Sequence, residues 1–412
     1  MRCSPAIFAI LLAVSAQSVG SASSPARSGA FHTGEHRNLF SELLDKDQKE
    51  IDARLEETWQ QLFYGDDEKE RVYYPAGSDL AYVEDIGNGD VRSEGMSYGM
   101  MIAVQLDKKE EFDRLWKWAR THMYHDEGPH RGLFAWHCSP AGVRLDENAA
   151  SDGEVWMVTA LFFAAGRWGN GEGIFDYGAE ARALLRTMLH KSEERQDLVT
   201  DMFDSNNRLV VFVPETGLAS SFTDPSYHVP HFYELWARWA DQDQEFWAAA
   251  AGASRAFLRS AAHPRTGLMP DYSHFDGSPI DPWEGGHDAF RFDAWRVGMN
   301  VAVDHAWFAA DPWQVDQSNR WLTFFSSQGL DTYVNQYDLD GTPLSEDRSV
   351  GLVAMNAVAA LGATIDEAPA FVEALWKSEL PTGKWRYYDG MLYMLAMLHV
   401  SGEFQIYPPP VD

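Results

Sequence analysis

The sequence predicts an all-α protein, specifically an (α/α)6 barrel of six inner and six outer helices. Three observations lead there. Eleven or twelve segments carry apolar residues at helical spacing, and few segments alternate as strands do. Two of them, "EVWMVTALFFAA" and the 94–105 segment, are apolar nearly all round, as an inner helix covered by an outer one must be. No repeat of fixed period marks a solenoid, and no Pro/Ser linker divides the chain, so residues 38–412 read as one domain.

The elements follow in order. "LFSELLDKDQKEIDARLEETWQQLF" is helical from Leu39 to Phe63, and residues 73–91 form a polar loop full of turn formers. Helices follow through "EGMSYGMMIAVQL" and "KEEFDRLWKWARTHMY". A loop from "GLFAWHC" onward holds a short hairpin, and "EVWMVTALFFAAGRWG" ends at Gly166 or Gly169. After the helix "FDYGAEARALLRTMLH", the stretch "NNRLVVFVPETG" offers a strand pair. "HVPHFYELWARWA" and "QEFWAAAAGASRAFLRSA" are helices, then a loop leads to a long helix from about Asp288 to Phe308. Helical patterns recur at 314–329, 349–360, 366–377 and 388–400. "GNGEG", 169–173, lacks a strand–turn–helix frame and reads as a surface turn.

Residues 1–22 look like an export signal. Arg2 precedes an apolar run from Ala6 to Val14, and Gly20 and Ala22 offer small side chains at a cleavage site. The run is too short to span a bilayer. Residues 23–37 read as a flexible lead. A secreted or periplasmic protein is expected, with no membrane attachment once the signal is removed. Removal shifts the formal charge from -29 to -30 and leaves Cys138 as the one cysteine, a core thiol with no disulfide partner. The acidic balance excludes nucleic acid and disfavours anionic polymers, so a neutral substrate fits. There is no phosphate-binding GxxxxGK[ST] loop, no HExxH, and no compact metal set among residues such as His228, His231 and His287. No metal and no cofactor is expected, and a monomer is.

Three acids stand at junctions between loop and helix. Glu94 in "RSEGMSYGM" lies beside Met96, Met100 and Met101, where an acid bears a desolvation cost. It is either a first-turn acid favoured by the helix dipole or a group whose proton affinity is tuned. Asp152 in "SDGE" occupies a first turn, with Ser151 and Glu154 at capping-box spacing. Asp293 lies between Phe292 and Trp295 inside a helical pattern, with Arg296 three residues on as an ion-pair partner. Asp304, one face along, is a candidate supporting group. Such a set suits glycosidic bond cleavage. One carboxylic acid protonates the departing oxygen, another carboxylate holds a water across the ring, and a third supports the flattened sugar. Trp and Tyr stack on sugar rings.

"DVRSEGMSYGMMIAVQLDKKEEFDRLW", "SDGEVWMVTALFFAAGRWG", "FTDPSYHVPHFYELW" and "FDAWRVGMNVAVD" together resemble glycoside hydrolase family 8, over nearly the whole chain beyond the signal. "FHTGEHRNLF", "HPRTGLMPDY" and "RYYDGMLYMLAML" bring it nearest to the reducing-end xylose-releasing exo-oligoxylanases of that family. The resemblance implies an (α/α)6 barrel, an inverting single displacement and xylo-oligosaccharide substrates. It assigns Glu94 as general acid, Asp293 as general base and Asp152 as the acid beside the distorted sugar. Trp136, after "GLFA", matches an aromatic that lines the cleft in relatives. Tyr98, Tyr227, Trp283, Tyr337 and Tyr388 are further stacking candidates, and Arg296 orients Asp293. One departure concerns exo action. Relatives carry a His before the "GLxAxNA" helix that reaches the reducing-end hydroxyl, and Arg348 stands about there in "LSEDRSVGLVAMNA". The alternatives are an endo-acting xylanase, a β-glucanase or chitosanase of the same family, and a sugar-binding protein without turnover.

Overall fold

The computed structural model describes Met1 and residues 29–194 and 198–410, so the signal beyond Met1 lies outside the described residues. Two short helices lead in, α1 (Ala30–Thr33) and α2 (Leu39–Leu44). Part of the expected flexible lead is docked. Phe31 stacks on Phe308 with ring centroids 5.0 Å apart, and Gly29 abuts the backbone of Trp307. The expected Leu39–Phe63 helix is broken. Asp45 takes a left-handed φ of 54°, and Asp47 restarts the chain as α3 (Gln48–Tyr64) with a full capping box to Glu50. The 73–91 segment is no simple loop. It pairs β1 (Tyr73–Ala76) with β2 (Leu80–Val83) around a turn, and β3 (Val91–Arg92) then runs directly into α4 (Ser93–Gln105). Tyr73 and Val83 bury one face of that hairpin, an alternation masked by the turn residues.

The rest follows a two-layer rhythm: α5 (Lys109–Trp118), the expected hairpin β4 (His137–Cys138) and β5 (Arg144–Asp146), α6 (Ser151–Trp168) and α7 (Tyr177–His190). Then come α8 (Pro230–Trp239), α9 (Gln244–Ala261), α10 (Trp295–Phe308), α11 (Trp313–Gln328), α12 (Val350–Ala359), α13 (Ala368–Lys377) and α14 (Arg386–Ser401). The strand pair expected within residues 206–217 does not form; Val210 and Glu215 instead make isolated bridges to Phe203 and Val199, upstream of that stretch.

The even-numbered helices from α4 to α14 form the inner ring. Neighbours α4–α6, α8–α10, α10–α12 and α12–α14 pack together, and α14 closes on α4. Between α6 and α8, Trp236 donates to Thr159 Oγ1 at 3.0 Å, and Trp156 meets Phe232 edge to face. Most of these helices are buried nearly all round, α6 from Ser151 to Ala165 without a break, while α8 leaves Arg238 exposed. The odd-numbered helices cover them with one apolar stripe each. In α9 that stripe is Trp247, Ala250, Ala251, Ser254, Phe257, Leu258 and Ala261. Cys138 is a buried core thiol, and burial pushes its pKa up to about 11. Among the described residues no helix is long and apolar enough to cross a membrane.

Candidate active site

The starts of α4 and α6 and the turn before α10 bring the three acids together. Two of these junctions share a pattern, Ser93-Glu94-Gly95 and Ser151-Asp152-Gly153. The glycines permit the approach. A Cβ on Gly153 would sit 2.6 Å from Ser93 Cβ, and one on Gly95 would meet Tyr387 at 2.7 Å. The capping box expected at Ser151 does not form. Ala150 is the N-cap residue, Ser151 Oγ has no partner among the described residues, and Glu154 Oε1 accepts from Phe134 N at 3.0 Å. Gly153→Ala is expected to destabilise the fold by about 1–3 kcal/mol through overpacking. It should also lower turnover by up to about 100-fold, because the acids shift apart. Thermal unfolding and initial rates measure both, and unchanged values would show that the two helix starts spread freely.

Asp293 corrects another expectation. The helix begins at Trp295, not Asp288, because Phe290 bridges Tyr337 and the residues on either side of it, Asp288 and Phe292 to Ala294, lie in turns. Asp293 thus lies in a turn braced on both flanks. Asp271 Oδ1 accepts from Ala294 N at 3.2 Å, and the Tyr388 hydroxyl donates to Phe292 O at 3.0 Å.

One guanidinium ties the acids together. Arg296, 2 % exposed, donates through Nη1 to Glu94 Oε2 at 2.7 Å, Tyr98 Oη at 2.7 Å and Asp152 Oδ2 at 3.2 Å. Through Nη2 it donates to Asp293 Oδ1 and Ser226 Oγ, both at 2.9 Å. It therefore holds all three acids, where the sequence suggested Asp293 alone. The fork caps the separation of the bound Glu94 and Asp293 oxygens at roughly 8 Å.

Exposure separates the acids. The Glu94 and Asp152 side chains are 15 % and 6 % exposed, against 30 % for Asp293. Burial raises the proton affinity of Glu94, opposed by Arg296 and reinforced by Asp293. Asp152 is raised likewise, by burial first, against Arg296. Tyr387 donates to Glu94 Oε1 at 2.8 Å, so the oxygen free of the guanidinium keeps a partner in either protonation state.

Above these groups opens a cavity of about 300 Å³. Glu94, Asp152 and Asp293 line it, with Trp136, Phe212, Tyr227 and Tyr272 as its aromatic walls. Trp136 is fixed from both sides, its carbonyl accepting from Ser93 N and its amide donating to Asn148 O. Trp283, half-exposed, lies one ring further out, against Tyr272 and Phe212. Tyr98 lies below the cavity on Arg296, and Tyr388 beside it, its ring 6.0 Å from that guanidinium.

Three expectations fall away from the cavity. Tyr337 is buried among Phe324, Phe325 and Phe290, where its hydroxyl accepts from Val334 N. Exposed Arg348 folds back to donate to Leu330 O at 2.9 Å, over the Tyr333 ring. Asp304 pairs with Arg255 of α9 and bonds Gln314, so it supports the barrel wall and no acid of the site. Sequence reasoning missed Tyr387, Tyr272 and Asp271, which come from distant segments that no local spacing connects to Glu94 or Asp293. Among the described residues no group of His, Cys, Asp and Glu is arranged to hold a metal ion.

The chain is 50% identical over 383 residues to the reducing-end xylose-releasing exo-oligoxylanase Rex8A of Paenibacillus barcinonensis, covering 92% of this chain and 98% of that protein. The solved structure of Rex8A complexed with xylose superposes with a TM-score of 0.88 at 50% identity, covering 92% of this chain and 99% of that one. A catalytic mutant of a family 8 xylanase of Teredinibacter turnerae, in complex with xylohexaose, gives 0.89 at 47% identity, covering 92% and 100%. The family model for glycosyl hydrolases family 8 matches residues 83–402, from β2 to the end of α14, and the chain belongs to that family.

Proposed function

We propose that this protein releases xylose from the reducing end of β-1,4-linked xylo-oligosaccharides by single displacement with inversion. The observation that carries this reading is the convergence of Glu94, Asp152 and Asp293 on one cavity, each bonded to Arg296. The similarity to exo-oligoxylanases at 50% identity supports the substrate class. The volume lies at the low end of ligand pockets, which span about 300–1,000 Å³. That suits a short sugar chain.

Each acid has its role. Glu94, shielded from water, keeps a proton on Oε1 and gives it to the glycosidic oxygen as the bond from C1 breaks. Asp293, more open to solvent, takes a proton from a water that attacks C1 from the opposite face. The new C1–O bond has inverted configuration, and solvent returns Glu94 and Asp293 to their starting states. Asp152 meets the sugar at the scissile bond, held from below by Arg296, which Tyr98 in turn anchors. Trp136, Tyr227 and Tyr272 offer ring faces to the sugars. Export through residues 1–22 and action as a monomer complete the proposal.

One observation favours an endo-acting second reading: Arg348 turns away from the cavity, where relatives place a His toward the reducing end. Xylotriose labelled at its reducing end separates the two. Labelled xylose as the first product is expected. Xylan that loses viscosity before xylose accumulates would establish endo action instead.

A further inference from the structure

Asp224 has no place in the roles above, yet it lies directly behind them. It is fully buried at the start of a short turn, Pro225–Tyr227. Its Oδ1 accepts from Ser226 N at 2.6 Å, while Oδ2, also buried, has no hydrogen-bond partner among the described residues. The turn it fixes does two things. Ser226 Oγ accepts from Arg296 Nη2, the nitrogen that also holds Asp293, and Ser226 O accepts from Asn300 Nδ2 at 2.7 Å. Tyr227, at the end of the turn, forms part of the cavity wall.

The charged and titratable groups facing Asp224 are Asp293 and Arg296 from the α10 region, Asp271 and Tyr272 from the preceding loop, and Tyr227 of its own turn. An ionised Asp224 would stand as a buried carboxylate with an unanswered oxygen, and would compete with Asp293 for Arg296. A neutral carboxyl keeps the Ser226 bond through its carbonyl oxygen and leaves the guanidinium to the other acids.

We propose that Asp224 is a positioning residue for Asp293 that works as a neutral carboxylic acid, with Oδ1 fixing the Ser226 turn against Arg296 and Oδ2 carrying a hydrogen. Burial, with Asp293 nearby and against the pull of Arg296, raises its proton affinity well above that of an ordinary aspartate. A buried carboxyl kept neutral so that its neighbours can do the chemistry is a known device in active sites. The inference rests on Asp293 being the base.

Asp224→Asn and Asp224→Ala test it. Asparagine copies the neutral acid, with its amide group standing where the hydroxyl does. It is expected to keep kcat on xylotriose within about threefold, whereas alanine, which releases the Ser226 turn, loses about tenfold to 100-fold in kcat with less change in KM. In an infrared difference spectrum of wild type minus Asp224→Asn at pH 7, a protonated-carboxyl stretch is expected. A carboxylate band in its place, or an asparagine variant as impaired as the alanine one, would overturn the proposal. The spectrum decides the point even if alanine prevents folding. It also stands apart from activity: wild type that hydrolyses no xylo-oligosaccharide would refute the proposed function and leave the spectral result to judge Asp224.

Discussion

Glu94→Gln is expected to lower kcat on xylo-oligosaccharides by about 10²–10⁴-fold, the usual contribution of a positioned proton donor. Glutamine retains the size of the side chain and an oxygen for Arg296, so the fold and KM should change little. The chemistry predicts a further contrast. A xylosyl substrate with an aryl leaving group of low pKa needs little help from an acid. On it the Glu94→Gln deficit should shrink, while an Asp293→Asn deficit should persist, because the water must still be deprotonated. Initial rates of both variants on natural and aryl substrates measure this. Equal deficits on the two substrates would remove Glu94 from the role of proton donor. The pH profile should agree. Glu94 works in its protonated form and its proton affinity is raised by burial, so activity falls as pH climbs through its ionisation in the folded protein.

Arg296→Met should have the largest effect on stability. It leaves Glu94, Asp152 and Asp293 without the cation that each now touches. Breaking a buried ion pair on one side costs about 3–5 kcal/mol. The carboxyls will then take up protons in the folded state at pH values where the unfolded chain, with carboxyl pKa values near 4, binds none. The folded variant thus binds the excess protons, and its stability declines as pH rises. Urea unfolding at pH 5 and pH 8 should show the gap to wild type widening at the higher pH. A gap of equal size at both would mean that Arg296 acts by packing alone. Turnover should also collapse, since the same guanidinium sets the gap between acid and base.

The barrel was readable because an inner helix covered on all sides leaves a distinct trace, an apolar segment such as "EVWMVTALFFAA" with no polar stripe. The convergence of the acids was partly readable: Glu94 and Asp152 each place a charge where an apolar run begins, and Asp293 sits between aromatics with Arg296 three residues on. Helix starts were less so. Asp288 to Ala294 has helical spacing, but Phe290 bridges Tyr337, 47 residues later, and the residues around it form turns. Ser151 and Glu154 have capping-box spacing, yet Phe134 N claims the glutamate. Tyr337 and Arg348 failed as site residues for the same reason. Nothing near them in sequence tells whether a loop side chain turns toward the cavity or toward its own base, and here both turn inward or back.

The closing contact between α14 and α4 has a consequence for how the protein comes to life. Tyr387, which steadies Glu94, is translated 293 residues after it, and the last inner helix supplies the wall that Glu94 leans on. A nascent chain still short of Arg386 can have every acid in hand and yet hold them on an unfinished circle. Hydrolytic power therefore arrives late and all at once, when the final turn of the ring locks into the first.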